Sequence, residues 1–406
     1  MTNNNFKTIS GTKANDMKDF QTIAVQNDEI ILSNANIILE DEVIHGSIFV
    51  KEGKIADIDQ GMVVPKGAVD CKGDYISAGL VELHTDNLER HMQPRPGVKW
   101  PMKAAILSHD AELASVGITT VFDALRVGSI TSDKKSKYGK YARVVATDIV
   151  NMRATDQLRV SHFIHLRAEV CTETLLEEMG EFTTDDRIGI VSIMDHTPGQ
   201  RQFRDLSKME EYLVGKYSMS KQDILEHFDK LYSLRDQYGV AHEAGAARIG
   251  KELGAVLASH DDTTLKDVET SAQKGVRIAE FPTTLEAGQE CHNRNIAVMM
   301  GAPNLLRGGS HSGNVAAHEL AAAGVLKILS SDYAPSSLLM AAVRLGLETG
   351  DMAQGLRTVT ATPARATGLN DRGRICQGLR ADLIRFNLVS NLPSIKGVWR
   401  QGHRIG

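Results

Sequence analysis

Cysteine is scarce in this chain, and the little there is does not cluster. Cys71, Cys171, Cys291 and Cys376 lie far apart and form no CxxC pair, so they read as reduced thiols of a cytosolic protein. Long hydrophobic runs are missing too. No stretch of about 18 apolar residues occurs, which excludes a membrane-spanning helix of ordinary length. Basic charge is not in excess. The formal net charge of −5 gives no positive field for nucleic acid, although it leaves room for a local Arg and Lys cluster at a phosphate site. Residues 1–28 (MTNNNFKTISGTKANDMKDFQTIAVQND) have no apolar signal-peptide core and read as a loosely ordered polar extension.

What is present is an ordinary globular composition, 42% apolar and 24% charged over 406 residues. That is enough for one large domain and a smaller one. Residues 29–74 read as short strands separated by turns at Asn34, Glu40-Asp41 and Glu52-Gly53. The tail, residues 369–406, has the same texture. Two strand-rich ends around a different middle imply one small β-sandwich domain built from both ends of the chain. The middle, residues 75–368, alternates. Apolar runs at 79–83, 118–123, 162–166, 188–194, 255–259, 277–281, 296–300 and 326–330 alternate with helical stretches such as Met102–Ser115 and Val315–Ala323. The charged segment 197–254 carries extra helices. Eight strands alternating with helices predict an α/β fold of the (β/α)8 TIM-barrel type, with a doubly wound sheet as the competing architecture.

A barrel displays its active site at the C-terminal ends of its strands. The first run ends in "LHTD", with His84 and Asp86 two residues apart and therefore on one strand face. The third leads to His165 and Glu169 in "HFIHLRAE". The fourth leads to Asp195 and His196, the fifth to His260 and Asp261, the sixth to Glu280 and the eighth to Asp332. Each has a bland alternative. A carboxylate at a βα turn commonly caps the next helix, a reading that suits Asp195 and Asp261. His162, His165 and His311 read as partners of other site residues or as plain surface residues. Solvated strand ends do not predict so many imidazoles and carboxylates in one chain, whereas a hydrolytic metal centre needs them. Two further stretches suit anions. "LRGGSHSGN" brings Arg307, Ser310 and His311 beside paired glycines, and "PGQRQFRD" brings Arg201 and Arg204 just after His196. Flexible loops with solvated arginines are the alternative.

These motifs are recognisable together. The split β domain, the barrel and the strand-end residues resemble the amidohydrolase superfamily. Within it, "ELHTDNLERH", "PRPGVKWP", "LSHDAELASVGITTVFDA", "HLRAE", "SIMDHTPGQRQF", "LASHDDTT", "AEFPTTLEAG", "MGAPNLLRGGSHSGN" and "LSSDYAPSSLL" are similar to one family, the alpha-D-ribose 1-methylphosphonate 5-triphosphate diphosphatases of the carbon–phosphorus lyase pathway. The resemblance runs from about residue 29 to the C-terminus. It implies a metal centre of His84, Asp86, Glu169, His196, His260 and Asp332 with one or two divalent ions (Mn, Zn or Fe). In it Glu169 takes the bridging place often held by a carbamylated lysine, and Asp332 also handles the proton of the attacking water. It implies hydrolysis of a ribose 5-triphosphate to a 5-phosphate and diphosphate, with Arg201, Arg204, Lys216, Arg307, Ser310 and His311 as candidate phosphate contacts. The expected partner is this small molecule, in the cytoplasm, with neither nucleic acid nor membrane involved. A homo-oligomer is compatible with the chain. Two other readings stand beside it: a metal-dependent C–N hydrolase on the same barrel, and a non-catalytic partner in a phosphonate-processing complex. The "RGGSHSG" stretch and the arginines after His196 favour phosphate over an amide, and a scaffold would need none of the ligand-type residues.

Overall fold

The computed structural model describes residues 29–95, 97–132, 139–203, 206–217, 219–310 and 313–406. The first apolar alternations become β1 (Glu29–Ile38), β2 (Val43–Lys51), β3 (Lys54–Gln60), β4 (Val69–Asp70) and β5 (Tyr75–Ala78). The middle of the chain gives β6 (Leu80–Thr85), β7 (Ile118–Val127), β8 (Ser161–Glu169), β9 (Ile188–Met194), β10 (Val256–His260), β11 (Ile278–Glu280), β12 (Ala297–Gly301) and β13 (Leu326–Ser330). The tail adds β14 (Leu383–Val389), β15 (Leu392–Arg400) and β16 (His403–Arg404).

The two chain ends form one sheet in the order β16-β15-β14-β5-β1-β2-β3, with β4 beside β1. Leu32, Ile37, Ile48, Ile76, Leu383 and Trp399 make its own core. Here β5 joins β1 from the first segment to β14 from the tail. The sheet therefore reaches past residue 74 to Ala78.

Strands β6 to β13 form the second sheet in strict chain order, every pair parallel. Parallel strands are covered on both faces, which is why they read as near-continuous apolar runs. The helix Met102–Ser115 lies where the sequence predicts it. It begins after Pro101 and stops just before Gly117, whose φ of +90° ends it. The charged segment after β9 holds the long helix Lys221–Glu252, opened by a Ser220–Asp223 capping box.

Side chains facing the barrel axis come in layers. Val81, Leu83, Phe122, Ile190, Ala258, Ile278, Met299 and Ile328 form an apolar plug. Two positions further along the same strands stand His165 after Phe163, Ser192 after Ile190, His260 after Ala258, Glu280 after Ile278 and Ser330 after Ile328. The period of two in a strand thus lifts a polar layer directly above the plug.

The seam between β13 and β6 closes without a regular ladder. Thr85 and Asp332 make a single parallel bridge. Asp86 N donates to Asp332 O at 2.9 Å, and Asp332 N to His84 O at 3.1 Å. The buried Glu82 carboxylate does the rest, accepting from His84 N (2.7 Å), Ser330 Oγ (2.8 Å) and Ser331 N (2.6 Å). Glu82 therefore ties the strand that carries His84 to the strand that carries Asp332.

Candidate active site

Above the polar layer the ends of the strands converge. His84 Nε2 lies 3.9 Å from Asp86 Oδ1, so the two do face the same side, although the pairing of β6 with β7 is irregular between Glu82 and Thr85. One ligand atom each from His84, Asp86 and Asp332 falls within 4.8 Å of the others. The same holds for His196, His260 and Asp261, and for His84, His165 and Glu280. The groups join one another. The His84 and His260 rings stack at 5.7 Å, His196 meets His260 edge-on at 5.7 Å, and His196 Nδ1 is hydrogen-bonded to Glu169 Oε2. The six expected ligand residues thus come from five different strand ends into one constellation.

Glu280 sits beneath it, fully buried. Its Oε2 bonds His260 Nδ1 at 3.1 Å, His84 Nδ1 at 3.2 Å and Ser192 Oγ at 2.6 Å. A carboxylate on Nδ1 holds the proton there and leaves Nε2 as a lone pair, the arrangement that orients metal-binding histidines. Burial opposes the charge on Glu280, but His165 and His84 outweigh it and hold the carboxyl well below its ordinary value. Burial keeps His260 down at about 3 and His165 at about 4, against the pull of Glu280. Burial thus favours the neutral form of these two, in which an imidazole can bind metal, whereas at His84 and His196 burial is outweighed by Glu280 and Glu169, which raise them.

The donor set fits a divalent ion on internal evidence. His165 Nδ1 bonds Leu83 O at 2.9 Å, so its Nε2 carries a lone pair. That Nε2 faces Glu280 Oε1 at 3.5 Å, and both atoms are buried without a hydrogen-bond partner, as is Glu169 Oε1. Buried acceptors left open to one another are expensive unless a proton or cation lies between them.

Several residues were read differently from the sequence. Asp261 does not cap the next helix, because Thr264 does so with Asp267. Asp261 instead lies 3.2 Å from His260 Nε2 with φ +57°, and burial pushes its carboxyl up to about 7. Asp195 caps no helix either. It braces the following loop through Thr197 and pairs with Arg235 at 2.7 Å. Asp86, expected as a ligand, precedes the helix Asn87–Met92 and makes no side-chain cap. Its Oδ1 is 2.5 Å from Arg167 Nη1. His162 is not a surface residue. It is buried between Asp123 (2.7 Å) and Asp110 (3.3 Å), outside the barrel.

Among the candidate phosphate contacts, Arg201 has its Nη1 on His260 O at 2.8 Å and Asp262 at 2.9 Å, which fixes the turn after β10. Arg307 is exposed at the end of the helix Ala302–Arg307, and Ser310 is half-buried three residues on. Arg204, His311 and the Lys216 side chain lie outside the described residues. Arg167 was missed, although "HLRAE" holds the signal: it alternates with His165 and Glu169 on one face of β8.

A barrel whose strand ends gather His, Asp and Glu above an apolar plug has the architecture of the amidohydrolases, a class of hydrolases typically dependent on metal. The sequence profile of the amidohydrolase family matches residues 210–405. Two solved structures share the fold. An N-acetyl-D-glucosamine-6-phosphate deacetylase of Mycobacterium smegmatis has a TM-score of 0.59 and 13% identity, covering 93% of this chain and 99% of that one. A D-hydantoinase has a TM-score of 0.59 and 15% identity, covering 93% and 95%. The alpha-D-ribose 1-methylphosphonate 5-triphosphate diphosphatase of Escherichia coli strain K12 is 40% identical over 379 residues, 93% of this chain and 100% of that protein. The chain belongs to the family of that diphosphatase.

Proposed function

We propose that this chain hydrolyses alpha-D-ribose 1-methylphosphonate 5-triphosphate to the 5-phosphate and diphosphate, as a step in phosphonate breakdown. The observation that carries the reading is the full-length likeness to the Escherichia coli diphosphatase. The converging strand ends support it, since they offer ligands for one or two divalent ions. His84, Asp86 and Asp332 would hold one ion, and His196, His260 and Glu169 the other, with Asp261 and His165 close enough to contribute. When bound, such an ion lowers the pKa of a water molecule and polarises a phosphoryl oxygen. The mixture of carboxylates and imidazoles suits Mn²⁺, with Zn²⁺ and Fe²⁺ as alternatives.

The chain's own part is positional and protolytic. Water oxygen bonds to the α-phosphorus, the bond from that phosphorus to the bridging oxygen breaks, and diphosphate departs. Asp332, held to the β6 end by two backbone hydrogen bonds, takes the proton. Arg307, Ser310, His311, Arg204 and Lys216 supply contacts to the outer phosphates, and Arg201 serves by fixing the His260–Asp262 turn. The compartment we propose is the cytoplasm, where the four free cysteines would stay reduced.

Phosphorus NMR of purified protein with Mn²⁺ and the ribose triphosphate tests this. The expected result is the appearance of diphosphate and a monophosphate ester together. A dihydropyrimidine in a parallel tube should remain intact. Ring opening there without diphosphate release would replace the proposal with a C–N hydrolase.

A further inference from the structure

We propose that Arg167 binds the phosphoryl group at the metal-ligand cluster, and that Asp86 is the partner it gives up when the ligand residues are loaded. The inference rests on the phosphate-ester reading above and adds a cation at the ligand residues themselves. Arg201 is committed to Asp262, and Arg307 is exposed at a helix end. Neither stands among the ligands.

Arg167 does. It lies on β8 between His165 and Glu169, whose side chains enter the constellation from the same strand face. Its Nη1 is 2.5 Å from Asp86 Oδ1, and its Nε approaches Met194 Sδ at 3.4 Å. Only 17% of the side chain is exposed. A guanidinium has therefore been buried at the centre of a group of residues suited to hold a cation.

A site evolved only to bind a cation gains nothing from this. Fixed positive charge among the ligands repels the ion, and burying the guanidinium has its own desolvation cost. The arrangement makes sense if the loaded site must also receive an anion. Arg presents a planar fork that matches two oxygens of a phosphoryl group, and it does so without losing its charge. The Asp86 carboxylate, whose Oδ1 meets Arg167 Nη1, stands in for the anion. Once Asp86 binds an ion, its charge is shared and the guanidinium is left facing the position of the attacked phosphoryl group.

The competing role is purely structural, with Arg167 serving as a brace that orients Asp86. Two titrations on the full chain separate the roles. The first measures Mn²⁺ binding to the parent, Arg167→Gln and Arg167→Lys without any phosphate. The second measures inorganic phosphate, a weak chelator, binding to each Mn²⁺-loaded protein. The proposal expects Arg167→Gln to bind Mn²⁺ at least as tightly as the parent, because a competing ion pair is gone. It should bind phosphate about 10–100-fold more weakly, the usual loss for hydrogen bonds to a charged group. Arg167→Lys keeps the charge without the fork and should fall between. Unchanged phosphate affinity in Arg167→Gln would overturn the proposal. So would a fall in Mn²⁺ affinity, which assigns Arg167 to bracing Asp86. Should Arg167→Gln not fold, the Arg167→Lys arm decides on the same two criteria. Because phosphate is not the substrate, a failure of the ribose triphosphate to react would count against the function and leave the Arg167 result standing.

Discussion

Glu280→Gln changes one atom at the base of the constellation, and its consequences can be worked out bond by bond. All three short contacts of Glu280 fall on Oε2: Ser192 Oγ at 2.6 Å, His260 Nδ1 at 3.1 Å and His84 Nδ1 at 3.2 Å. A glutamine can place its amide oxygen there and keep every one. Its NH2 then takes the place of Oε1, 3.5 Å from the open lone pair on His165 Nε2. Packing and hydrogen bonding therefore survive, and only the charge is removed. Without that charge His84 and His260 become poorer electron donors, and losing such a partner costs about 10–100-fold in metal affinity. The alanine variant is different in kind. It strands three buried donors at about 1–3 kcal/mol each, so a loss of at least ~3 kcal/mol in unfolding free energy is expected. Calorimetric Mn²⁺ titration and urea denaturation of both variants measure the two effects. Mn²⁺ affinity in Glu280→Gln equal to the parent's would refute the reasoning. Complete loss of binding would refute it too, since that would make Glu280 a direct ligand.

Asp332→Asn should lower turnover by about two orders of magnitude or more, as removal of a proton acceptor and ligand does. Folding should be preserved, because asparagine tolerates the φ of +54° at this position; steady-state rates and thermal melts check the two halves. His162 supplies a pH prediction away from the candidate metal ligands. Burial lowers its proton affinity, but Asp123 and Asp110 outweigh burial and raise its pKa from 6.5 to about 9. Its contribution to stability is therefore complete below pH 6.5 and lost as the pH rises through about 9. Urea titrations across that range should show the parent losing more stability than His162→Gln, and parallel curves would contradict the assignment.

The fold was legible because buried parallel strands announce themselves as apolar runs. All eight runs became strands β6 to β13, and the helix Met102–Ser115 was delimited at both ends by Pro101 and Gly117. The ligand-type residues were legible because each stands just past such a run. Partnership between strands was not. Nothing in "IAEFPTT" says that one oxygen of Glu280 will serve His84, His260 and Ser192 at once, since those residues are brought together only by barrel closure. Asp261 looked like a cap because a carboxylate at a βα turn often is one, and Thr264 took that place. The partners of Arg201 and Arg167 were hidden for a related reason. An arginine's partner is chosen by what lies across the barrel mouth, and the loop arginine found Asp262 while the strand arginine found Asp86.

The central claim is that water attacks the α-phosphorus at this strand-end site. Hydrolysis of the ribose triphosphate in ¹⁸O-labelled water, followed by phosphorus NMR, tests it most directly. The account predicts an isotope-shifted resonance for the monophosphate ester and none for diphosphate. Label in the diphosphate, or release of inorganic phosphate in its place, would contradict it.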